Sequence, residues 1–327
     1  MILVTGGAGY IGSHAVKELL RAGYAVAVID NLQKGHREAV LPEAAFYEGD
    51  LRDGAFLERV FGENTFEGVI HFAADSLVGE SVKEPLKYYE NNMVSTIRLL
   101  RKMREHGVKP LVFSSTAATY GEPERTPIEE TDATVPRNTY GETKLAVEKM
   151  LRWEDEAGGV KYAALRYFNA AGADPEGELG EDHAPETHLI PNVLKAALTG
   201  ESMALFGDDY PTADGTCVRD YIHVTDLVRA HVLALEKLIA GRESAIYNLG
   251  SGSGFSNKQI LETAGKVCGK KVPYTVGPRR AGDPAILVAS SEKIKRELGW
   301  APEYSALETI IETAYRWHRD HPGGYRR

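Results

Sequence analysis

Short apolar runs alternate with longer amphipathic stretches along the first half of the chain. The runs contain many Val, Ile, Leu and Ala residues, which is typical of strands in a parallel sheet covered on both faces. The stretches between them, such as 13–21 and 92–106, space their apolar residues as helices do. The predicted strands are 2–5, 25–29, 45–47, 69–72, 111–114 and 162–168.

The pattern changes after residue 169. Residues 170–186 are rich in Gly, Pro, Asp and Glu, which indicates a loop. Beyond it we predict helices over 189–198 and 226–240 and a strand over 245–249. The candidate helix ends are Thr225 and Gly241 for the second helix, and capping boxes of Ser256 with Gln259 and of Ser305 with Glu308.

Alternating strands and helices predict right-handed βαβ units. The fold class is therefore α/β, with a Rossmann-like doubly wound parallel sheet and a smaller C-terminal α/β substrate lobe. We assign residues 1–169 plus about 219–250 to the cofactor domain, and about 170–218 plus 251–327 to the substrate lobe.

Composition narrows the function classes. The 327 residues suffice for about two domains, and the net charge of −9 argues against a nucleic-acid surface, which needs clustered Lys and Arg. Two cysteines cannot form a disulfide framework. No apolar run approaches the roughly 20 residues of a membrane span, and residues 1–5 read as a strand, not as a signal peptide. We expect a cytoplasmic protein without nucleic-acid or membrane partners.

A glycine-rich turn, TGGAGYIG over 5–12, follows the first strand and opens the first helix. Glycines permit a tight turn, and a helix N-terminus offers free N–H groups to a phosphate. This context favours dinucleotide binding over an ordinary loop. The candidate contacts are Gly6, Gly9, Tyr10, Ile11 and Gly12.

Further candidate cofactor residues stand where predicted strands end, the edge at which open α/β sheets bind ligands. Asp30 is placed to accept hydrogen bonds from both ribose hydroxyls and to repel a 2′-phosphate, so we expect NAD and not NADP. For each position, a turn cap or ordinary core packing is the competing interpretation. The candidates are Asp30, Asn31, Asp50, Leu51, Phe72, Ala73 and Ala74.

Tyr140 and Lys144 are four residues apart, so they share a face if the segment is helical. The ammonium would then favour the ionised phenol and make Tyr140 a general base near neutral pH. Thr116, just past the fifth strand, could hold the substrate oxygen. Taken alone, the pair is better explained as a half-buried tyrosine over a surface lysine, and only the accompanying motifs favour the catalytic role.

These motifs together resemble the extended short-chain dehydrogenase/reductases. Within them, HFAA (71–74), VGES (78–81), YYENN (88–92), RYFN (166–169) and GTCVRDYIHV (215–224) resemble the UDP-glucose 4-epimerase family. The resemblance runs from residue 1 to about 300. It implies a tightly held NAD and a UDP-hexose that is oxidised at C4, turned over and reduced again, with no net oxidation. It also implies a homodimer, for which the apolar helix around 93–103 is a candidate surface.

The resemblance also assigns roles to individual residues. Arg219 and Arg280 would bind the diphosphate, Asp283 the uridine ribose, and Asn169 the UDP moiety. Asn91 would help to place the strand of Thr116 and the nicotinamide pocket. The full implied cofactor set adds Asn91, Ser114, Tyr140, Lys144 and Tyr167, and the substrate set is Thr116, Tyr140, Asn169, His188, Leu189, Ala204, Phe206, Arg219, Arg280, Asp283 and Leu287.

Three positions depart from the family pattern. Ser76 stands where some relatives have a lysine near the cofactor phosphates, and His188 stands where some have an asparagine. Leu287 aligns with a residue that gates the 2-substituent of the sugar, and its middling size leaves N-acetylated substrates open. UDP-N-acetylhexosamine or UDP-pentose epimerases are therefore alternatives with the same mechanism.

Two other classes compete. A nucleotide-sugar 4,6-dehydratase has Asp-Glu just after the threonine, whereas Ala117 and Ala118 follow Thr116 here. A non-catalytic NAD(P)-sensing regulator typically lacks the Tyr and Lys pair. We expect no metal site, because the ten histidines show no His-Glu-x-x-His spacing. His183 and His188 are read as solvated or substrate-adjacent.

Overall fold

A seven-stranded parallel sheet forms the larger part of the molecule in the computed structural model, which describes residues 1–280 and 283–325. Its strand order is β11-β6-β5-β4-β1-β2-β3. The strands are β1 (Ile2–Thr5), β2 (Val26–Asp30), β3 (Ala45–Glu48), β4 (Gly68–His71), β5 (Pro110–Ser114), β6 (Lys161–Tyr167) and β11 (Ala245–Leu249). The predicted α/β doubly wound class is confirmed.

Helices cover both faces of this sheet because its strands alternate their apolar side chains. On β1, Ile2 and Val4 face the core that contains α1 (Tyr10–Arg21) and α8 (Val224–Ile239). Leu3 faces the opposite core. That second core is covered by α2 (Gly54–Glu63), α5 (Ser95–Glu105) and α6 (Thr139–Glu156). Between β4 and α5 lie the short helices α3 (Val78–Lys83) and α4 (Pro85–Tyr88) and a π-helix (Tyr89–Val94).

The remaining elements surround a third apolar core. It is built mainly from α7 (Leu189–Thr199), α9 (Asn257–Cys268) and α11 (Leu307–Asp320). The small strands here are β7 (Asn169–Ala171) beside β10 (Tyr221–His223), β8 (Met203–Phe206) beside β13 (Tyr274–Gly277), and β9 (Val218–Arg219) between β12 (Phe255–Ser256) and β14 (Ile286–Leu287). Helix α10 (Glu292–Leu298) instead places Ile294 and Leu298 in the core of the large sheet. The domain boundaries given above stay a prediction.

The predicted helix caps were partly wrong. Ser256 and Gln259 do form a capping box. Helix α8, however, begins at Val224, and the His223 ring accepts a hydrogen bond from the Thr225 N–H, so His223 and not Thr225 is the cap. Ser305 donates its hydroxyl to Asp226, and α11 begins two residues later. None of the helices in the described part of the chain is long and apolar enough to cross a membrane.

Candidate active site

The glycine-rich turn joins β1 to α1 with the backbone packed tightly against β4. Gly6 has a φ of +73°, and a Cβ there would lie 2.7 Å from the Ala73 nitrogen. A Cβ on Gly12 would lie 2.0 Å from the Gly6 carbonyl oxygen. Only glycine fits either position without displacing backbone. The turn therefore keeps its exact path, which brings the free N–H groups of the first turn of α1 to the sheet edge.

In the first turn of α1, the Tyr10 side chain anchors the helix, whereas the backbone N–H groups stay available to a ligand. The Tyr10 hydroxyl donates to the Gly172 carbonyl at 2.7 Å, which ties α1 to the loop of the smaller lobe. The side chain of Tyr10 is thus committed to packing, and only its backbone N–H is available to a phosphate. Gly9 precedes the helix with extended backbone and no side chain of its own to occupy the N-terminus.

Asp30, the last residue of β2, links the turn to the second strand. Its carboxylate accepts hydrogen bonds from the Ala8 N–H at 3.0 Å and the Leu32 N–H at 2.9 Å. Burial raises the pKa of Asp30, and these two N–H donors oppose the rise. Each of its oxygens keeps a lone pair for a further donor, as a ribose hydroxyl would supply.

Both carboxylate oxygens of Asp50 already accept hydrogen bonds from protein side chains, which the sequence did not suggest. Arg52 pairs with both of its oxygens, at 2.9 and 2.7 Å, and Asn31 donates to it at 3.1 Å. The hydrogen bonds from Arg52 hold the pKa of Asp50 well below its usual range. Leu51 beside it is buried. Asp50 therefore fixes the end of the third βα unit, and its role toward a cofactor stays a prediction.

The end of β4 lies directly beside the glycine-rich turn. The N–H groups of Phe72 and Ala73 both donate to the Thr5 carbonyl, at 3.0 and 3.1 Å. With Ala74 next, small side chains follow Phe72 along this edge. The strand order reverses between β1 and β4. This point is bordered by the closely packed glycines, the N-terminus of α1, the Asp30 carboxylate and the end of β4. These residues fit a dinucleotide cofactor.

Tyr140 and Lys144 lie on the first two turns of α6, whose N-cap Asn138 accepts from the Gly141 N–H at 2.8 Å. The Lys144 ammonium is buried, donates to the Ser114 carbonyl at 2.8 Å, and lies 5.9 Å from the centre of the Tyr140 ring. Ser114 Oγ and the Tyr167 hydroxyl share a hydrogen bond of 2.6 Å. The structure thus gathers these four predicted residues at the carboxyl ends of β5 and β6.

The pKa values at this pair differ from the expected pattern. Desolvation raises the pKa of Tyr140, and its hydrogen bond with Thr116 opposes the rise. Burial lowers the pKa of Lys144 to about 7, against the attraction of Glu148. The prediction that Lys144 makes the Tyr140 phenol acidic was wrong for the protein's own groups, because Lys144 directs its charge to a backbone carbonyl and is itself desolvated. A nearby cationic ring, as in NAD⁺, would act in the needed direction.

Asn92, which the sequence analysis passed over, holds this region together. Its side chain accepts from the Asp75 N–H at 2.8 Å and donates to the Asp75 carbonyl at 3.0 Å and to Thr143 Oγ1 at 3.2 Å. It therefore clamps the loop after β4 to α6. Asn91, by contrast, contacts Asn92 at 3.4 Å and accepts from Ser95. The role predicted for Asn91, to help place the strand of Thr116 and the nicotinamide pocket, stays a prediction.

A buried ion pair lies one helical turn beyond Lys144. Glu148 accepts from Arg166 at 2.9 and 2.5 Å and from the Ser115 hydroxyl at 2.5 Å. It joins α6 to β5 and β6 directly behind the Tyr140 and Lys144 pair. One signal for this residue is visible in the sequence, since Glu148 continues the i, i+4 series of Tyr140 and Lys144.

A cavity of about 460 Å³ opens in the smaller lobe. Arg219 and Asp283 form an ion pair of 2.5 Å at its wall, and the Arg280 guanidinium lies 4.3 Å above the Phe206 ring. Asn192 and Lys195 on α7 also line it, and the sequence analysis did not name them. The predicted substrate residues that line this cavity are Asn169, His188, Leu189, Ala204, Phe206, Arg219, Arg280 and Asp283.

Three predicted substrate residues lie elsewhere. Thr116 and Tyr140 are at the rim of the large sheet, where the Thr116 hydroxyl accepts from the Ala118 N–H at 3.1 Å. Leu287 is on β14, in register with Arg219 on β9. The rim and the cavity are close along the chain, because Tyr167 of the rim and Asn169 of the cavity are separated by one residue, or about 7 Å of extended backbone.

Comparisons with known proteins agree with this geometry. Residues 2–250 match the NAD dependent epimerase/dehydratase family. The chain is 59% identical over 325 residues to the UDP-glucose 4-epimerase of Halalkalibacterium halodurans, covering 99% of this chain and 97% of that protein. It is 58% identical to the UDP-glucose 4-epimerase of Lacticaseibacillus casei, covering 99% and 98%.

Solved structures give the same result. A crystal structure of UDP-glucose 4-epimerase superposes with a TM-score of 0.98 at 57% identity, covering 100% of this chain and 99% of that one. The UDP-glucose 4-epimerase of Brucella ovis in complex with NAD gives a TM-score of 0.94 at 50% identity, covering 96% and 97%. On its sequence, its fold and its site, this chain belongs to the NAD dependent epimerase/dehydratase family.

Proposed function

We propose that this protein interconverts UDP-glucose and UDP-galactose by oxidation and reduction at C4 of the sugar, with NAD as its cofactor. The observation that carries the proposal is the placement of Tyr140, Lys144 and Thr116 at the sheet rim, next to a cavity walled by Arg219 and Arg280. Relatives that are up to 59% identical over nearly the whole chain and are named UDP-glucose 4-epimerase support the same substrate pair.

The rim residues would perform the proton chemistry. Tyr140 takes the proton of the sugar 4-hydroxyl, and the Thr116 hydroxyl, on the same rim, holds that hydroxyl in line. Lys144, held on the Ser114 carbonyl, supplies positive charge near the phenol when it is protonated. NAD, when bound, supplies the acceptor for the hydride from C4 and returns it. Gly6, Gly9, Gly12, Asp30 and the β4 edge would hold it.

The cavity residues would bind the nucleotide. Two arginines can pair with a diphosphate through planar forks, and Arg219 is pre-positioned for this by Asp283. Asp283 would exchange part of that contact for a ribose hydroxyl. Anchoring only the UDP leaves the hexose free to present either face to the rim, which inversion at C4 demands.

The 4,6-dehydratase alternative is disfavoured by one local feature. Elimination of water needs a carboxylic acid and base beside the threonine, and Ala117 and Ala118 begin the short 3₁₀ turn there. Epimerases of N-acetylated UDP-hexoses or UDP-pentoses share all the rim chemistry. They differ only in the sugar pocket, so product analysis and not geometry distinguishes them.

A homodimer in the cytoplasm completes the proposal. Within the predicted segment 93–103, Leu99, Leu100 and Met103 are buried within the protein, whereas Val94 is exposed. Exposed apolar residues close to Val94 along the chain include Val82, Leu86 and Tyr89, on α3, α4 and the π-helix. We propose this segment as the dimer surface, and a molar mass from light scattering would test the dimer.

The deciding experiment uses purified protein without added NAD. Incubation with UDP-galactose should give UDP-glucose, and the reverse, with no net formation of NADH; acid release should yield NAD. Their N-acetyl counterparts, run in parallel, rank the sugars. A dehydrated keto-sugar product would instead establish the dehydratase, and unchanged sugars would refute the proposal.

A further inference from the structure

The loop before α7 gathers two histidines and two glutamates. Glu181, His183, Glu186 and His188 each place one ligand atom within 4.8 Å of the others. The sequence pattern does not predict this cluster, because its four residues are spaced along a loop and not along a helix. The surrounding bonds are specific: Glu186 Oε1 accepts from the N–H groups of Thr187 and His188, both at 2.7 Å.

The separations match a coordination sphere. Glu181 Oε1 lies 2.8 Å from His188 Nδ1 and 3.2 Å from His183 Nδ1. Glu186 Oε1 lies 3.0 Å from His188 Nδ1, and Glu186 Oε2 lies 3.6 Å from His183 Nδ1. Tetrahedral Zn²⁺ with nitrogen and oxygen ligands sets neighbouring donors about 3.3–3.5 Å apart. The carboxylate-to-imidazole separations therefore bracket those of a coordination sphere, and all four donors lie within 4.8 Å of one another.

Two buried atoms of the cluster have no hydrogen-bond partner. Glu181 is 4% exposed, yet its Oε1 has no hydrogen-bond partner among the described residues, and neither has the buried His183 Nδ1. Glu186 Oε1 and His188 Nδ1 do share a hydrogen bond of 3.0 Å, whereas Glu181 Oε1 and His183 Nδ1 lie close to neighbouring atoms without hydrogen-bonding geometry. Buried polar atoms without a partner are costly, whereas lone pairs that converge on one point suit a metal.

A neighbouring cluster provides the contrast. Asp174, Glu176 and Glu178 also converge, but Lys17 lies between them at 2.7, 2.9 and 2.6 Å and supplies their cation. Neither Glu181 nor Glu186 has a Lys or Arg within ion-pair distance in the part of the chain that the structure describes. Their side-chain ion-pair partners among the described residues are the two imidazoles, and imidazole is a common metal ligand.

We propose that Glu181, His183, Glu186 and His188 bind one divalent transition-metal ion, with Zn²⁺ the preferred species. The ion would be structural. His188 is the N-cap of α7 and, with Leu189, lines the nucleotide cavity. The His183 ring packs edge-on against Tyr10 at 6.2 Å, at the start of the glycine-turn helix. The metal would thus fix one wall of the substrate cavity relative to the cofactor side. Metal binding itself does not depend on the proposed reaction.

The test uses full-length protein free of any affinity tag. After chelator treatment, the protein is titrated with Co²⁺, whose visible d–d absorption reports tetrahedral ligation, and Zn²⁺ is then added as competitor. We expect one Co²⁺ per chain, a Kd of about micromolar or lower, and displacement by Zn²⁺. Mg²⁺ should not compete, because it disfavours imidazole ligands. Absence of saturable Co²⁺ binding up to about millimolar would overturn the proposal.

Variants locate the site. His183→Gln and Glu181→Gln should each weaken Co²⁺ binding at least about tenfold, since each removes a ligand. The matched control is His106→Gln, because His106 faces the Glu58 carboxylate at 3.7 Å on the surface, outside the cluster. It should bind like the wild type. Equal affinity of the wild type and His183→Gln would refute the assignment; circular dichroism verifies that each variant is folded, and the wild-type titration decides if one is not.

Discussion

The rim of the large sheet and the cavity of the smaller lobe use charge in opposite ways. At the rim, Lys144 is buried and donates to a backbone carbonyl, and burial lowers its pKa to about 7. In the cavity, Arg219 is partly exposed and paired with Asp283. Desolvation makes protonation adjustable, which suits proton transfer. A guanidinium stays charged and suits binding of a diphosphate.

The largest test of this contrast removes the phenol. Tyr140→Phe should keep the fold and bound NAD while lowering kcat by roughly 10²- to 10⁴-fold, since the general base is lost. Turnover of UDP-galactose is the measurement. Tyr274→Phe, an exposed tyrosine on β13, is the control and should turn over normally. Near-normal kcat for Tyr140→Phe would remove it as the base.

Removal of the cavity charge should act on binding and spare the chemistry. Arg219→Met is expected to raise KM for UDP-galactose roughly 10- to 150-fold, because a charge-assisted contact of about 1.5–3 kcal/mol is lost. The kcat should change far less. Arg296→Met, which removes an exposed pair with Glu297, serves as the reference. A loss confined to kcat would contradict the division between cavity and rim.

The lowered pKa of Lys144 should appear in stability. Between pH 7 and about 10 the unfolded chain binds a proton on this lysine that the folded protein does not, so Lys144 makes stability rise with pH, by at most about 1.4 kcal/mol per pH unit. Urea unfolding of the wild type and Lys144→Met across this window measures the difference in slope. The wild type should have the more positive slope. Parallel curves would show that Lys144 keeps an ordinary pKa.

Cofactor choice should depend on Asp30. Asp30→Ala removes the acceptor for the ribose hydroxyls and the repulsion of a 2′-phosphate, so the preference for NAD over NADP should fall about tenfold. Binding of both nucleotides to stripped protein gives the ratio. Asp320→Ala, whose carboxylate pairs only with the adjacent Arg319 among its described contacts, should leave it unchanged. An unaltered preference in Asp30→Ala would withdraw its assigned role.

The smallest effect is expected at Leu287. Leu287→Tyr should lower activity on N-acetylated sugars several-fold more than on UDP-galactose, because the family resemblance assigns the gate for the sugar 2-substituent to this position, in register with Arg219. Ile286→Tyr, on the preceding residue, points to the other face of the strand and is the control. Equal losses on both sugar types would argue against a gate.

The rim of the large sheet and the cavity of the smaller lobe also differ in how far the sequence could predict them. Asp30, Ala73 and Ser114 were predicted because each follows a recognisable apolar run, and strand ends of a parallel sheet share one edge. Arg219, Arg280 and Asn169 come from separate segments, so only the family resemblance joined them. Their pattern alone contains no local periodicity that brings them together.

The errors have a common cause. The cap of α8, the clamp at Asn92 and the raised pKa of Tyr140 all depend on tertiary neighbours: His223, Asp75 and the desolvated surroundings of the phenol. Spacing along the chain limits which residues can contact each other. It does not determine which of two adjacent residues makes the contact. It also does not reveal burial, which decides the sign of a pKa shift.

The return of the chain to the large sheet has a consequence for biosynthesis. Strand β11 pairs along β6, but it is reached only after the chain has built β7, α7 and β10. A nascent chain that has emerged only as far as residue 168 presents β6 as an unpaired, apolar edge. The ribosome must therefore deliver the first segment of the second lobe, with β7 and α7, before β11 can complete the large sheet, and until then the uncovered edge of β6 favours aggregation.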